Sequence, residues 1–179
     1  MMISAGCILV ALPAAGLETK LSDGTETLIV NWPEPESGKW SQLYKEEEEL
    51  QAYIKVAHYN EIGKLFETGM IKARFRMPDA DLTEHAKHIY QSMKRLDPRA
   101  RFRFNKDRLD GTYDNRIFMI RTKDIQGNKE SQVWLILKGK ESVFEIQRSL
   151  KQSRIDRKKL AEIADFFKKV RIVPDSESE

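Results

Sequence analysis

Two short runs of this chain alternate a cation with an apolar residue. Met70-Ile71-Lys72-Ala73-Arg74-Phe75-Arg76-Met77 is the first, and Arg99-Ala100-Arg101-Phe102-Arg103-Phe104 the second. In a strand, successive side chains point to opposite faces. Lys72, Arg74 and Arg76 then form one comb of cations, and Arg99, Arg101 and Arg103 another. The chemistry open to such combs is phosphate binding. Each cation that neutralises a phosphate releases condensed counterions, which gives salt-sensitive affinity without sequence preference. Arginine adds a planar fork that matches phosphate oxygens and stacks on bases. Arg116 and Arg121 extend the combs along the next strand. Arg154 and Lys158 belong to a second basic cluster near the C-terminus, with Arg148, Lys151, Arg157 and Lys159.

Charge is unevenly spread. Residues 1–69 carry 5 Lys/Arg against 11 Asp/Glu, residues 70–174 carry 26 against 14, and the five-residue tail holds three acids. A basic remainder after an acidic first third points to a polyanion partner, DNA or RNA. A protein–protein adaptor or regulatory module is the alternative, with the acidic segment and the basic face as its binding surfaces. A metal-dependent nuclease comes third.

The remaining chemistry-bearing residues are few. Asp79, Asp81, Glu84, His85 and His88 cluster at one helix start, with the two histidines a turn apart. Asp81 and Glu84 are already committed to a capping box, and the pattern is no His-Glu-x-x-His motif. Pro78-Asp79 with a later Asp156-Arg157-Lys158 matches a nuclease signature in part, with the second half on a helix instead of a strand. No Ser/His/Asp or Cys/His set and no Gly-rich phosphate loop is present. Neither a catalytic residue, a metal nor a cofactor is therefore assigned. Phe75, Phe102 and Phe104 read as core, and Tyr113 and Trp134 as the better stacking candidates. Cys7 is the lone cysteine, so no intrachain disulfide can form.

The elements that must position these residues follow from periodicity. Ile3 to Leu12 reads as a buried first strand. It has no preceding positive charge and Pro13 interrupts it, which argues against a secretory leader and for a cytoplasmic or otherwise intracellular protein. Leu17–Leu21 and Thr25–Trp32 flank Asp23-Gly24 as a hairpin. Residues 33–38 form a Pro/Gly loop and the candidate internal boundary of a single domain spanning 1–174. Trp40 to Ala57 repeats apolar residues at three- and four-residue steps, which predicts a helix bearing the acidic run Glu46–Glu49. Asn60 to Gly69 predicts a short second helix. Leu82, Ala86, Ile89, Met93 and Leu96 make a clean helical stripe, so 70–104 is a strand–helix–strand unit. Placing that helix on the apolar face would leave both combs on the opposite face of one sheet. Residues 116–123 and 132–138 read as a hairpin, 142–151 and 155–169 as a C-terminal helix pair, 171–173 as a last strand, and 175–179 as a disordered acidic tail. The expected class is α+β: a mixed, mostly antiparallel sheet with helices mainly on one face.

Overall fold

The computed structural model describes residues 16–105, 109, 111, 113–124 and 126–177. The expected first strand and Cys7 lie outside the described residues. The class is α+β, built from two antiparallel sheets and two α-helices.

The first sheet begins with β1 (Glu18–Ser22) and β2 (Glu26–Asn31), the hairpin expected from Asp-Gly. Gly24 takes φ 90°, which glycine adopts without strain. Asp23 Oδ1 locks the turn by accepting from the backbone N–H of Thr25 at 2.9 Å and of Glu26 at 2.8 Å. The third strand, β10 (Arg171–Pro174), returns from the C-terminus to pair with β2.

After the 33–38 loop the chain enters a seven-stranded sheet. Its strands are β3 (Lys39–Glu47), β4 (Gln51–Tyr59), β5 (Leu65–Arg74), β6 (Arg101–Phe104), β7 (Asn115–Lys123), β8 (Lys129–Lys138) and β9 (Val143–Leu150). Their spatial order is β3-β4-β5-β9-β8-β7-β6, with every neighbouring pair antiparallel. The sheet is thus two meanders, β3-β4-β5 and β6-β7-β8-β9, joined where β5 meets β9.

The helix expected over 40–57 is the β3–β4 hairpin. The helical spacing of Trp40, Leu43 and Leu50 is coincidental, since Leu43 and Leu50 are exposed. The decisive period is two: Ala52, Ile54 and Val56 are buried and alternate with half-buried Gln51, Tyr53 and Lys55. The short helix expected at 60–69 is a turn followed by β5. Asn60 does act as a local cap, but of that turn, accepting from the Lys64 N–H at 2.8 Å. Residues 142–151, read as the first of a helix pair, are β9. Seven of its eight residues are buried because both faces of the sheet are covered there.

The two helices lie on opposite faces. Helix α1 (Leu82–Leu96) starts at Asp81, whose side chain accepts from the Thr83 and Glu84 N–H groups. Glu84 turns outward to Lys87 (2.6 Å), so the expected reciprocal capping box is only half made. Leu82, Ala86 and Ile89 pack with Phe118, Ile120, Trp134 and Ile136 on one sheet face. Helix α2 (Arg157–Lys168), capped by Asp156, sets Ile163, Phe166 and Phe167 on the other face, in a core shared with β2 and with Ile71, Ile117, Leu135 and Ile146. The acidic tail is anchored at its start. Asp175–Glu177 form a 3-10 turn, and Asp175 accepts from Ser22 (2.8 Å) and Thr27 (2.6 Å).

Gly69 shows how tightly the two sheets meet. A Cβ there would sit 2.3 Å from the ring of fully buried Trp32 and 2.8 Å from Val56. Neither neighbour can retreat, so Gly69→Ala should cost about 1–3 kcal/mol through overpacking. For a chain of this size that lowers Tm by roughly 3–10 °C. An unchanged thermal midpoint by calorimetry would contradict this account of the interface.

Candidate nucleic-acid interface

The strand–helix–strand unit exists, but three strands separate β5 from β6. That separation divides the combs. Directly paired residues share a face, so Lys72 shares its face with Glu145 on β9 and, through Ile136 on β8, with Arg116 on β7. This is the α1 face. Phe102 and Phe104, paired with Ile120 and Phe118, point to that same face. Arg101 and Arg103 therefore point to the other one. The expected single cationic face is not formed: Lys72 and Arg74 lie on the α1 face, Arg101 and Arg103 on the face opposite. The reason is that the apolar residues of β5 serve one core and those of β6 serve the other.

On the α1 face the cations are largely committed. Arg74 Nε donates to Glu145 Oε1 at 2.6 Å, and His85 Nε2 donates to the same oxygen at 2.9 Å. Glu145 and His85 are both buried. Lys72 stands beside this group, half-buried. Partial desolvation, with Arg74 alongside, lowers its ammonium below the usual lysine range. Arg116 clamps the start of α1, donating to Thr83 Oγ1 at 3.3 Å and to Asp114 Oδ1 at 2.8 Å. Arg76, at φ 58° just beyond β5, pairs with Glu49 at 3.2 Å. The acidic run thus does meet one comb residue, from a hairpin tip and not from a helix.

Burial works against ionisation of Glu145, but the hydrogen bond from His85 and the charge of Arg74 outweigh it and hold the carboxyl below its ordinary value of 4.5. A folded value below the unfolded one contributes stability that is full above about pH 5 and fades as pH falls through 4.5 and lower. Glu145→Gln should therefore be less stable than the native chain at pH 7, with the gap narrowing on acidification. Urea midpoints measured from pH 6 to pH 3 check this, and a constant gap would count against the assignment.

The histidine pair does not converge. His85 faces Glu145 in the interior while His88 is exposed. The two halves of the nuclease signature also fall apart: Asp79 leads into α1 and Asp156 caps α2, on opposite faces of the sheet. Trp134 is core, stacked on Phe118 with ring centroids 5.8 Å apart. The Tyr113 hydroxyl donates to buried Glu26 at 3.1 Å. Neither is a stacking platform.

The other comb is open. On the face away from α1, Arg101 lies directly opposite Arg121, and Lys123 directly opposite Lys129. Arg103 follows one step along β6. All five are exposed, and no ion pair engages any of them among the described residues. Paired strands hold opposed Cα atoms about 4.5–5.5 Å apart. Two like-charged pairs in succession on that spacing cost stability. Two nearby acids are taken by Lys151, whose Nζ reaches Asp124 at 3.0 Å and Glu130 at 2.8 Å, while Asp97 accepts the Lys123 backbone N–H at 2.9 Å and is the acid that adjoins the patch. Desolvation opposes it, but Lys151 and Asn128 hold the Asp124 carboxyl down to about 2. Ser131, paired with Arg121, donates its hydroxyl to the Gln152 carbonyl at 2.8 Å. That bond ties the loop that leads to exposed Arg154 to β8. Lys158 is exposed in the first turn of α2, and Arg99 is exposed just ahead of β6. Lys129 escaped the sequence reading because it has no alternating neighbour. Its hairpin register with Lys123 was the available signal.

No protein-family model matches the chain, and no curated protein matches it. A crystal structure from Bacteroides thetaiotaomicron VPI-5482 is similar at 16% sequence identity and a TM-score of 0.41, covering 88% of this chain and 51% of that one. The chain thus spans about half the length of the solved chain it matches. A likeness this loose carries no functional argument. No helix among the described residues is long and apolar enough to cross a membrane.

Proposed function

We propose that the chain is a non-catalytic nucleic-acid-binding protein that contacts backbone phosphates through Arg101, Arg103, Arg121, Lys123 and Lys129, with Arg154 at the margin. The supporting observation is the pair of like-charged cross-strand contacts, Arg101–Arg121 and Lys123–Lys129, left exposed with no ion pair among the described residues. An isolated sheet pays for that repulsion, and a polyanion removes it. Lys72, Arg74, Arg76 and Arg116 drop to a structural part because each is half-buried or has an acidic partner. The protein–protein alternative keeps the same basic patch but loses its acidic helix, which is a hairpin.

The test is binding of labelled mixed-sequence DNA and RNA, single- and double-stranded, across a salt series. Four or five phosphate contacts predict a log–log salt slope of about −4 on duplex. No binding of any of the four at about 50 mM salt would overturn the proposal.

A further inference from the structure

Strand β6 is one edge of the seven-stranded sheet, and cations lie on both sides of it. Arg101 and Arg103 point to the face away from α1. On the α1 side, Tyr90 stands on the strand. Its ring stacks on Phe102 with centroids 5.0 Å apart, and its hydroxyl donates to the Ala100 carbonyl at 3.1 Å. Lys94, one turn on, sets its ammonium 5.8 Å from the Tyr90 ring centroid. That contact fixes Lys94 on the flank of α1 that overhangs β6. Arg99 is in the short link that carries the chain from the helix layer to the sheet layer. All four cations are exposed, and no ion pair engages any of them among the described residues. Among the described residues, Asp97 is the acid of this edge. Its carboxylate accepts the Arg99 N–H at 3.0 Å and the Lys123 N–H at 2.9 Å, which ties the end of α1 to β7. It puts one negative charge among Lys94, Arg99, Arg101, Arg103 and Arg121, so the edge stays cationic.

We infer that a single strand of nucleic acid turns around the β6 edge, with phosphates on Arg101 and Arg103 at one side, on Arg99 at the turn and on Lys94 at the other side. The ligand class rests on the nucleic-acid reading above, to which the edge adds a strand preference and two contacts, Lys94 and Arg99. The two sides are separated by the strand, a layer of rings and the flank of a helix, about 10 Å or more. A duplex stays straight over such distances, since its persistence length is about 150 base pairs. Nor can it straddle the edge: the major groove, about 12 Å wide, admits one helix or one two-stranded ribbon, and here strand and helix are stacked. A single strand bends from one nucleotide to the next, and a line of cations can track its phosphates. The duplex therefore meets the Arg101–Arg103 side alone, and the single strand meets both.

The experiment uses the full chain, a labelled single strand of about sixteen nucleotides and the matching duplex. Lys94→Glu and Arg99→Glu should each weaken single-strand binding about tenfold at about 0.1 M salt and change duplex binding by less than about twofold. Lys94→Gln removes one contact, so the single-strand log–log salt slope should flatten by about 0.7. Lys94→Arg keeps the charge and should bind as the native chain does. Single-strand affinity untouched in Lys94→Glu and Arg99→Glu, with Arg101→Glu still weakening it, would overturn the crossing and leave the patch standing. An equal loss on the duplex in both variants would overturn the single-strand assignment. A native chain that binds neither form overturns the nucleic-acid reading itself, and the crossing with it. Circular dichroism of each variant separates loss of binding from loss of fold, and Lys94→Gln carries the test if a reversal unfolds the chain.

Discussion

Arg148→Ala should destabilise the chain by about 3–5 kcal/mol, enough to consume a third or more of the stability of an ordinary domain. Arg148 and Glu67 are 2% and 1% exposed. They form a two-pronged ion pair, with Nη2 donating to Glu67 Oε2 at 2.7 Å and Nε to Oε1. The guanidinium also lies 5.7 Å from the Trp40 ring and 5.2 Å from the Phe166 ring. Truncation leaves Glu67 charged in the core, with Lys159 at 3.8 Å the one other cation paired with it among the described residues. The penalty comes from that stranded carboxylate more than from the lost attraction. Replacing both partners together, as Glu67→Leu with Arg148→Met, should therefore cost much less than Arg148→Ala alone. Urea unfolding of the two variants beside the native chain distinguishes the cases. A loss below about 1 kcal/mol in Arg148→Ala would show that the pair is not desolvated as described.

The double reversal Arg101→Glu/Arg121→Glu should reduce nucleic-acid affinity at least a hundredfold at about 0.1 M salt. Two phosphate contacts become two repulsions in the centre of the patch, and the salt slope falls by about two units. A second measurement gives the reading its sharper edge. Arg121→Gln relieves the like-charge contact with Arg101 and should raise the thermal midpoint of the unliganded chain by about 1–3 °C while weakening binding. Residues that are simply solvated surface would show neither effect. A midpoint that falls, with affinity unaltered, would remove the argument from the patch.

The sequence made some of this plain and hid the rest for identifiable reasons. Asp23-Gly24, the Asp81 cap and the Leu82–Ala86–Ile89 stripe are local signals, and their elements form where expected. The 40–57 segment misled because Trp40, Leu43, Tyr44 and Leu50 imitate a helical step while β3 is an edge strand with little to bury. Residues 142–151 misled in the opposite way: a strand covered on both faces loses its alternation, and Glu145 and Arg148 look like surface residues until their partners on β5 are known. The combs themselves were legible as strands. Their sidedness was not, because it depends on how many strands the 70–104 crossover spans. That number is set by where β9 inserts, about forty residues downstream.

The seam between β5 and β9 has a consequence for folding. Each meander can form from neighbours in sequence, whereas the seam joins Glu67–Arg74 to Val143–Leu150 across some seventy residues. Loop closure makes such a pairing the slow step. The seam is also where an ion pair sits on each face, the buried Arg148–Glu67 on one and Arg74–Glu145, with Glu145 buried and Arg74 partly exposed, on the other. A slip of one residue would turn Arg148 and Glu145 each to the wrong face and break both pairs at once, leaving Glu67 charged in the core. The two pairs act as a key that admits only one docking of the halves, which places the specificity of assembly in the last step to form.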